Sequence, residues 1–233
     1  MLTLLNHPLC VWLAVACTLG SAAVRAQDAA APNDRKSGLE VRLLAVELLA
    51  GAESVVLRSG ETNSAPIELP THGLSEGIRV AGRELAVAAP PKDGNPGRIL
   101  ARAALPDSGR RFLLLLVPAK DSYGCRVVAL DDPAFKPGGV CFVNLSPLTV
   151  GGLLGNLKFV AEQGQPLIMN PPAKQDLPYY QVSFYYQNGE GSRQFANTRW
   201  PYGIHTRSYV FFYIKPNSTR VTYRAVDEIV ADS

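Results

Sequence analysis

Cysteine is scarce in this 233-residue chain: there are four, and Cys10 and Cys17 fall in an apolar leader, which leaves Cys125 and Cys141. One pair cannot knit a disulfide scaffold. Lacking a C-x-x-C spacing and a neighbouring histidine, it does not read as a redox or zinc pair either. Histidine is scarcer still, at three residues, so no clustered His set for a metal exists, and no Gly-rich phosphate loop with a following Lys occurs. No metal and no cofactor is therefore expected. Charge is sparse (18% of residues, formal net +3) and forms no block of one sign, which excludes a nucleic-acid footprint. Long hydrophobic runs are missing as well. Beyond the leader no segment reaches the roughly 18 apolar residues that cross a bilayer.

What is present is a 47% hydrophobic chain rich in turn residues, with 20 Gly and 18 Pro. Residues 1–26 read as a signal peptide. An apolar run from Leu9 to Leu19 precedes the small-residue stretch Gly20–Ala23, and Val24-Arg25-Ala26 suits cleavage before Gln27. Val15-Ala16-Cys17 partly matches a lipoprotein box, so lipid attachment at Cys17 is the alternative. Cleavage removes Arg25 alone among the charged residues, leaving 22 basic and 20 acidic. The expected address is periplasmic or extracellular. There, Cys125 and Cys141 are expected to form one disulfide across a loop of about 15 residues, worth at most about 3 kcal/mol.

Residues 27–37 are small and polar, a flexible tether. From Gly38 onward the chain alternates short apolar strands with Gly/Pro/Asn/Asp clusters. In the first half strands are expected at 39–49, 54–58, 66–69, 84–88, 98–105, 112–117 and 126–130. In the second they are expected at 140–145, 153–154, 157–160, 166–169, 179–187, 193–199, 207–214 and 220–226. Leu113 to Leu116 fits a buried central strand between Gly109 and Pro118. The halves echo one another. Leu105-Pro106, Phe112–Val117 and Arg126–Asp131 close the first; Trp200-Pro201, Tyr209–Ile214 and Arg220–Asp227 close the second. Val41-Arg42-Leu43-Leu44 is set against Cys141-Phe142-Val143-Asn144 at the openings. The fold class expected is all-β: two tandem antiparallel, immunoglobulin-like β-sandwich domains, 38–133 and 134–230, with one larger sandwich as the alternative.

Phe142-Val143-Asn144-Leu145-Ser146-Pro147, followed by an apolar strand and a Gly-rich turn, resembles the opening of an uncharacterised class of secreted bacterial β-sandwich modules. Those modules carry a V-x-N-x-S-P first strand and often occur in tandem. The resemblance implies an immunoglobulin-like fold and an envelope or extracellular setting, and transfers no catalytic residue. The matching place in the first half, Leu44-Ala45-Val46-Glu47, lacks the Asn and the Ser-Pro.

One enzyme signal is literal: Gly73-Leu74-Ser75-Glu76-Gly77 matches G-x-S-x-G. That motif needs a strand–turn–helix and a His base. The flanks here read as strand, with His72 and His205 the only mature histidines, so a serine hydrolase is the alternative and no catalytic residue is assigned. Aromatic residues are lopsided. Of 19, only Phe112 and Tyr123 lie between 27 and 133, while 16 lie from Phe135 onward. Alternation puts Val210, Phe212 and Ile214 on one face and Tyr209, Phe211 and Tyr213 on the other. The second face is expected to meet solvent or a partner, with Tyr185 and Arg224 beside it. The expected role is a non-enzymatic binding or assembly module whose site is Tyr185, Tyr209, Phe211, Tyr213 and Arg224, and whose partner is a surface protein or a glycan. By architecture alone, a pilus-type periplasmic chaperone is the other non-enzymatic reading.

Overall fold

Apolar residues two apart share a face, so each short alternating segment must bury that face against another sheet. The computed structural model describes residues 38–171, 177–189, 191–215 and 218–230; the expected signal peptide, tether and Cys17 lie outside these. The first half contributes β1 (Leu39–Ala45), β2 (Ser54–Ser59), β3 (Thr62–Asn63), β4 (Ile67–Glu68), β5 (Ile78–Val80), β6 (Glu84–Ala88), β7 (Ile99–Ala104), β8 (Arg111–Ala119) and β9 (Ser122–Ala129). The second contributes β10 (Val140–Asn144), β11 (Val150–Leu154), β12 (Leu157–Ala161), β13 (Pro166–Met169), β14 (Tyr179–Asn188), β15 (Gly191–Pro201), β16 (Thr206–Ile214) and β17 (Val221–Ile229). Among the described residues there is no helix, hence none long and apolar enough to cross a membrane.

The architecture is a tandem β-sandwich with one topology used twice. Each half has an outer sheet, β3-β2-β6-β7 or β12-β11-β14-β15, and an inner sheet, β5-β1-β8-β9 or β13-β10-β16-β17. The strand β4 is extra and pairs with β2. The sheets are not purely antiparallel, as the sequence suggested. β1 runs parallel to β8 and β10 parallel to β16, because the chain makes two excursions to the outer sheet between them, adding the antiparallel edge strand β5 or β13 in between.

Three apolar layers hold the four sheets. Val41, Leu43, Phe112 and Leu114 meet Leu57, Val87 and Leu100 in the first sandwich. Phe142, Val210 and Phe212 meet Phe159, Val182 and Phe184 in the second. The third layer lies between the inner sheets, where Leu44, Leu113, Leu115 and Val128 meet Cys141, Val143, Tyr209, Phe211 and Val226. The inner sheets are thus covered on both faces. That explains the unbroken burial of Phe112–Leu116 and of Val140–Asn144. The connection between halves is anchored too: Phe135 is fully buried, its ring edge-on to Tyr209 at 5.2 Å.

Register corrects the alignment of the halves. β1 turns Val41 and Leu43 to its own core, and β10 turns Val140 and Phe142 to its own. Val41-Arg42-Leu43-Leu44 therefore corresponds to Val140-Cys141-Phe142-Val143, one residue earlier than the sequence echo placed it. A one-residue slip exchanges the two faces of a strand.

Candidate functional site

Alternation sorts β16 as expected: Val210, Phe212 and Ile214 point into the second core, Tyr209, Phe211 and Tyr213 the other way. That other face, however, is not open. Tyr209 and Phe211 are completely buried against the first half's inner sheet and cannot meet a ligand. The cause is Leu113 and Leu115 on β8, whose outward faces are equally apolar and require the same cover.

The polar groups of this layer bind one another. Tyr209 Oη donates to Glu228 Oε2 at 2.7 Å, and Arg42 Nη1 reaches Glu228 Oε1 at 3.3 Å from the other half. Burial, and then the Glu228 carboxylate, push the Tyr209 phenol well above its ordinary pKa. Arg224, expected to hold a ligand, instead donates through Nη1 to Val46 O at 2.6 Å and Thr71 O at 3.2 Å. Tyr213 sits half-buried beside it at the rim of an open groove with Glu47, Leu48 and Lys215. Of the five expected residues, four therefore fasten the halves together or edge their seam.

The expected disulfide is absent, and both thiols are free. Cys125 packs toward the first core while Cys141 lies in the layer between inner sheets, so the inner sheet carrying Cys125 stands between them. Burial pushes both thiols from 9.0 to about 12; Arg126 partly opposes this at Cys125, and Asp132 adds to it at Cys141. The G-x-S-x-G stretch is a loop before β5, not a strand–turn–helix. Ser75 Oγ accepts Leu43 N–H at 2.9 Å and donates to Glu76 O at 2.8 Å, and His72 Nδ1 pairs with Thr71 Oγ1. The hydroxyl splices the loop onto β1. The Asn of the V-x-N-x-S-P stretch is likewise structural. Fully buried Asn144 donates to Leu148 O and Ala161 O and accepts from Ser146 N–H and Oγ–H, fixing the turn into β11. Among the described residues no His/Cys/Asp/Glu group could hold a metal.

One expected residue, Tyr185, does face solvent, on the outer sheet of the second half. Alternation there turns Tyr179, Gln181, Tyr185 and Gln187 of β14 outward, with buried Ser183 in the same file and Ser192, Gln194, Asn197 and Arg199 of β15 across from them. Lys158 and Val160 of β12 and Gly151 and Leu153 of β11 complete the face. Two shallow grooves mark it. One, of about 420 Å³, is lined by Gly151, Leu153, Lys158, Val160, Tyr185 and Gln187. The other, of about 440 Å³, is lined by Asn156, Leu177, Tyr179, Gln181, Arg199 and Tyr202.

The first groove exists because Gly151 is the direct cross-strand partner of both Val160 and Tyr185, leaving backbone as its floor. A Cβ at Gly151 would stand 2.7 Å from Phe159 O, and one at Gly152 2.4 Å from Ser183 O. These glycines, expected in a turn, lie inside a strand and permit close approach of its neighbours. In the second groove Arg199 lies over the Tyr179 ring at 5.0 Å, and the Gln181 amide donates to Asn197 Oδ1. Sequence reasoning missed Tyr179, Arg199, Lys158 and Gly151. The signal available was β14 itself, whose alternate residues Tyr-Gln-Ser-Tyr-Gln are polar-aromatic while its other face is apolar.

No known family's sequence pattern matches the chain, nor does any curated protein. Among solved structures the chain aligns with the crystal structure of "a putative cell adhesion protein from Bacteroides uniformis ATCC 8492". Identity is 9% over 85% of this chain and 99% of the other, with a TM-score of 0.21, a likeness that carries no inference.

Proposed function

We propose that this chain is an exported, non-catalytic recognition module that binds an extended carbohydrate across the outer sheet of its second half. The observation that supports this reading is the chemistry of that face. It offers two half-exposed tyrosines beside grooves, separated by the exposed amides of Gln181 and Asn197. Tyrosine rings give flat apolar area with little side-chain entropy to lose, and amide side chains pair with hydroxyl-rich ligands as both donor and acceptor. The face sits on a four-stranded sheet backed by the aromatic core of Phe142, Phe159, Phe184 and Phe212, so its geometry is set before a ligand arrives.

An immobilised-glycan array probed with the full chain tests this. The wild type is expected to bind a set of oligosaccharides. Tyr179→Ala combined with Tyr185→Ala should lose roughly 10- to 30-fold, about 1 kcal/mol for each ring. Tyr209→Phe, in the buried layer, should bind like the wild type. Absence of any glycan binding, or equal binding by the Tyr179/Tyr185 variant, would refute the reading.

A further inference from the structure

The strands of this outer sheet carry no carboxylate. β11, β12, β14 and β15 together contain Lys158, Arg193 and Arg199 and not one Asp or Glu. This is not a property of the chain at large, where 23 basic residues are nearly matched by 20 acidic ones. Among the described residues the acidic residue nearest in sequence, Glu162, follows the end of β12.

Two of the cations are placed alike. Lys158 lines the groove of Tyr185, and Arg199 lines the groove of Tyr179. Both are solvent-exposed, and neither takes part in an ion pair among the described residues. Arg199 is held in position by the Tyr179 ring beneath it, which leaves its guanidinium edge available for a planar acceptor. Each groove of this face is thus lined by one tyrosine and one cation with no ion pair among the described residues, and at Arg199 the cation lies over the ring. Lys158 and Arg199 stand on the two edge strands of the sheet, three strand spacings or roughly 15 Å apart. The row of Lys158 runs through Leu153 and Ser183 to Asn197, and Arg199 stands one row further along β15, across from Gln181.

A repeated ring-plus-cation arrangement fits a ligand that repeats a ring bearing an anionic group. We infer that the carbohydrate read by this face is anionic, a glycan bearing carboxylate or sulfate, running obliquely over the sheet along the roughly 20 Å of β14 between Tyr185 and Tyr179, with one acidic unit at Lys158 and Tyr185 and another at Arg199 and Tyr179. This rests on the carbohydrate reading above and narrows it. A neutral glycan would leave both cations without a role, whereas an acidic one supplies the partners that the sheet itself omits.

Titration calorimetry of the full chain tests the inference, with an oligogalacturonate, a sulfated galactan oligosaccharide, neutral maltohexaose and poly-glutamate as probes. At low salt at least one acidic glycan is expected to bind tenfold or more tighter than maltohexaose. Which of the two binds better identifies carboxylate or sulfate as the group recognised. The preference should vanish in the Lys158→Gln/Arg199→Gln variant, and also near 1 M salt, where the Debye length falls to about 3 Å. Arg199→Lys should retain most of it. Equal binding of maltohexaose and the acidic glycans, unaffected by the double variant, would overturn the inference while leaving carbohydrate recognition standing. Binding of poly-glutamate as tight as that of the acidic glycans would show that charge alone is read, and would also overturn it. Binding of none of the probes, together with an empty array, would overturn both readings.

Discussion

Replacing Tyr209 separates a surface residue from a structural one. The ring is fully buried between the inner sheets, edge-on to Phe135, with its hydroxyl on Glu228. Removing a buried aromatic ring costs about 3–5 kcal/mol. Losing a hydrogen bond to a charged group adds about 1.5–3 kcal/mol. Tyr209→Phe should therefore cost about 2 kcal/mol, because Arg42 still accompanies Glu228. Tyr209→Ala should cost about 5 kcal/mol, a large part of the roughly 5–15 kcal/mol that holds a typical domain folded. Urea unfolding followed by circular dichroism and by the fluorescence of Trp200 measures both. With a slope near 3 kcal/mol/M, the upper end of the usual range, Tyr209→Ala should move the midpoint down by roughly 1.5 M. The two probes should shift together, since the third apolar layer couples the halves. A change under about 0.5 kcal/mol, the scale of a surface substitution, would refute burial of this face.

Three further outcomes follow from the same packing. In the native chain, a thiol reagent should react slowly at Cys125 and not at Cys141, and both should titrate as free thiols once the chain is unfolded; a Cys125–Cys141 bridge found by non-reducing mass mapping would contradict this. Both thiols rise from 9.0 to about 12 on folding, and Tyr180 rises from 10.0 to about 12 through burial. Above about pH 9 the unfolded chain releases protons that the native one keeps, so stability falls with rising pH at up to about 1.4 kcal/mol per unit for each such group. Cys141→Ala should flatten the part of that fall between pH 9 and 12, and an unchanged pH profile would argue against a buried thiol. Ser75→Ala strips the partner from Leu43 N–H and should destabilise by about 1–2 kcal/mol, while the wild type stays unlabelled by a serine-directed fluorophosphonate; labelling would restore the nucleophile reading.

The strand pattern was legible because period-two hydrophobicity and turn residues are local. Glu84–Ala88 and Pro166–Met169 come out with the bounds expected. The Lys120-Asp121 turn closes β8 onto β9 with Lys120 at φ 50°. Asn188 likewise pairs with Gly191 where β14 meets β15. What period two cannot say is which of two faces another sheet will cover. The run of four leucines in β8 signals a central strand covered on both sides, and Tyr209-Val210-Phe211-Phe212 in β16 carries the same message in larger side chains. Reading its outer set as open put Tyr209 and Phe211 on a face that the first half's inner sheet covers. The cysteines illustrate a second limit: nearness in sequence says nothing about layers, and Cys125 and Cys141 face different ones. Tyr185 kept partial exposure on the outer sheet, and Tyr213 at the rim of the seam. Lys158 reaches the groove of Tyr185, and Arg199 that of Tyr179, through the pairing of four strands, which no single segment encodes.

The most direct test of the central claim, that recognition belongs to the outer sheet of the second half and not to its buried aromatic face, is a titration of the isotopically labelled chain with oligogalacturonate, followed by backbone amide chemical shifts. Shifts are predicted to cluster at Gly151, Lys158, Gln181, Tyr185 and Arg199, with β16 unmoved. Shifts centred on Tyr209, Phe211 and Arg224, with none on the outer sheet, would contradict it.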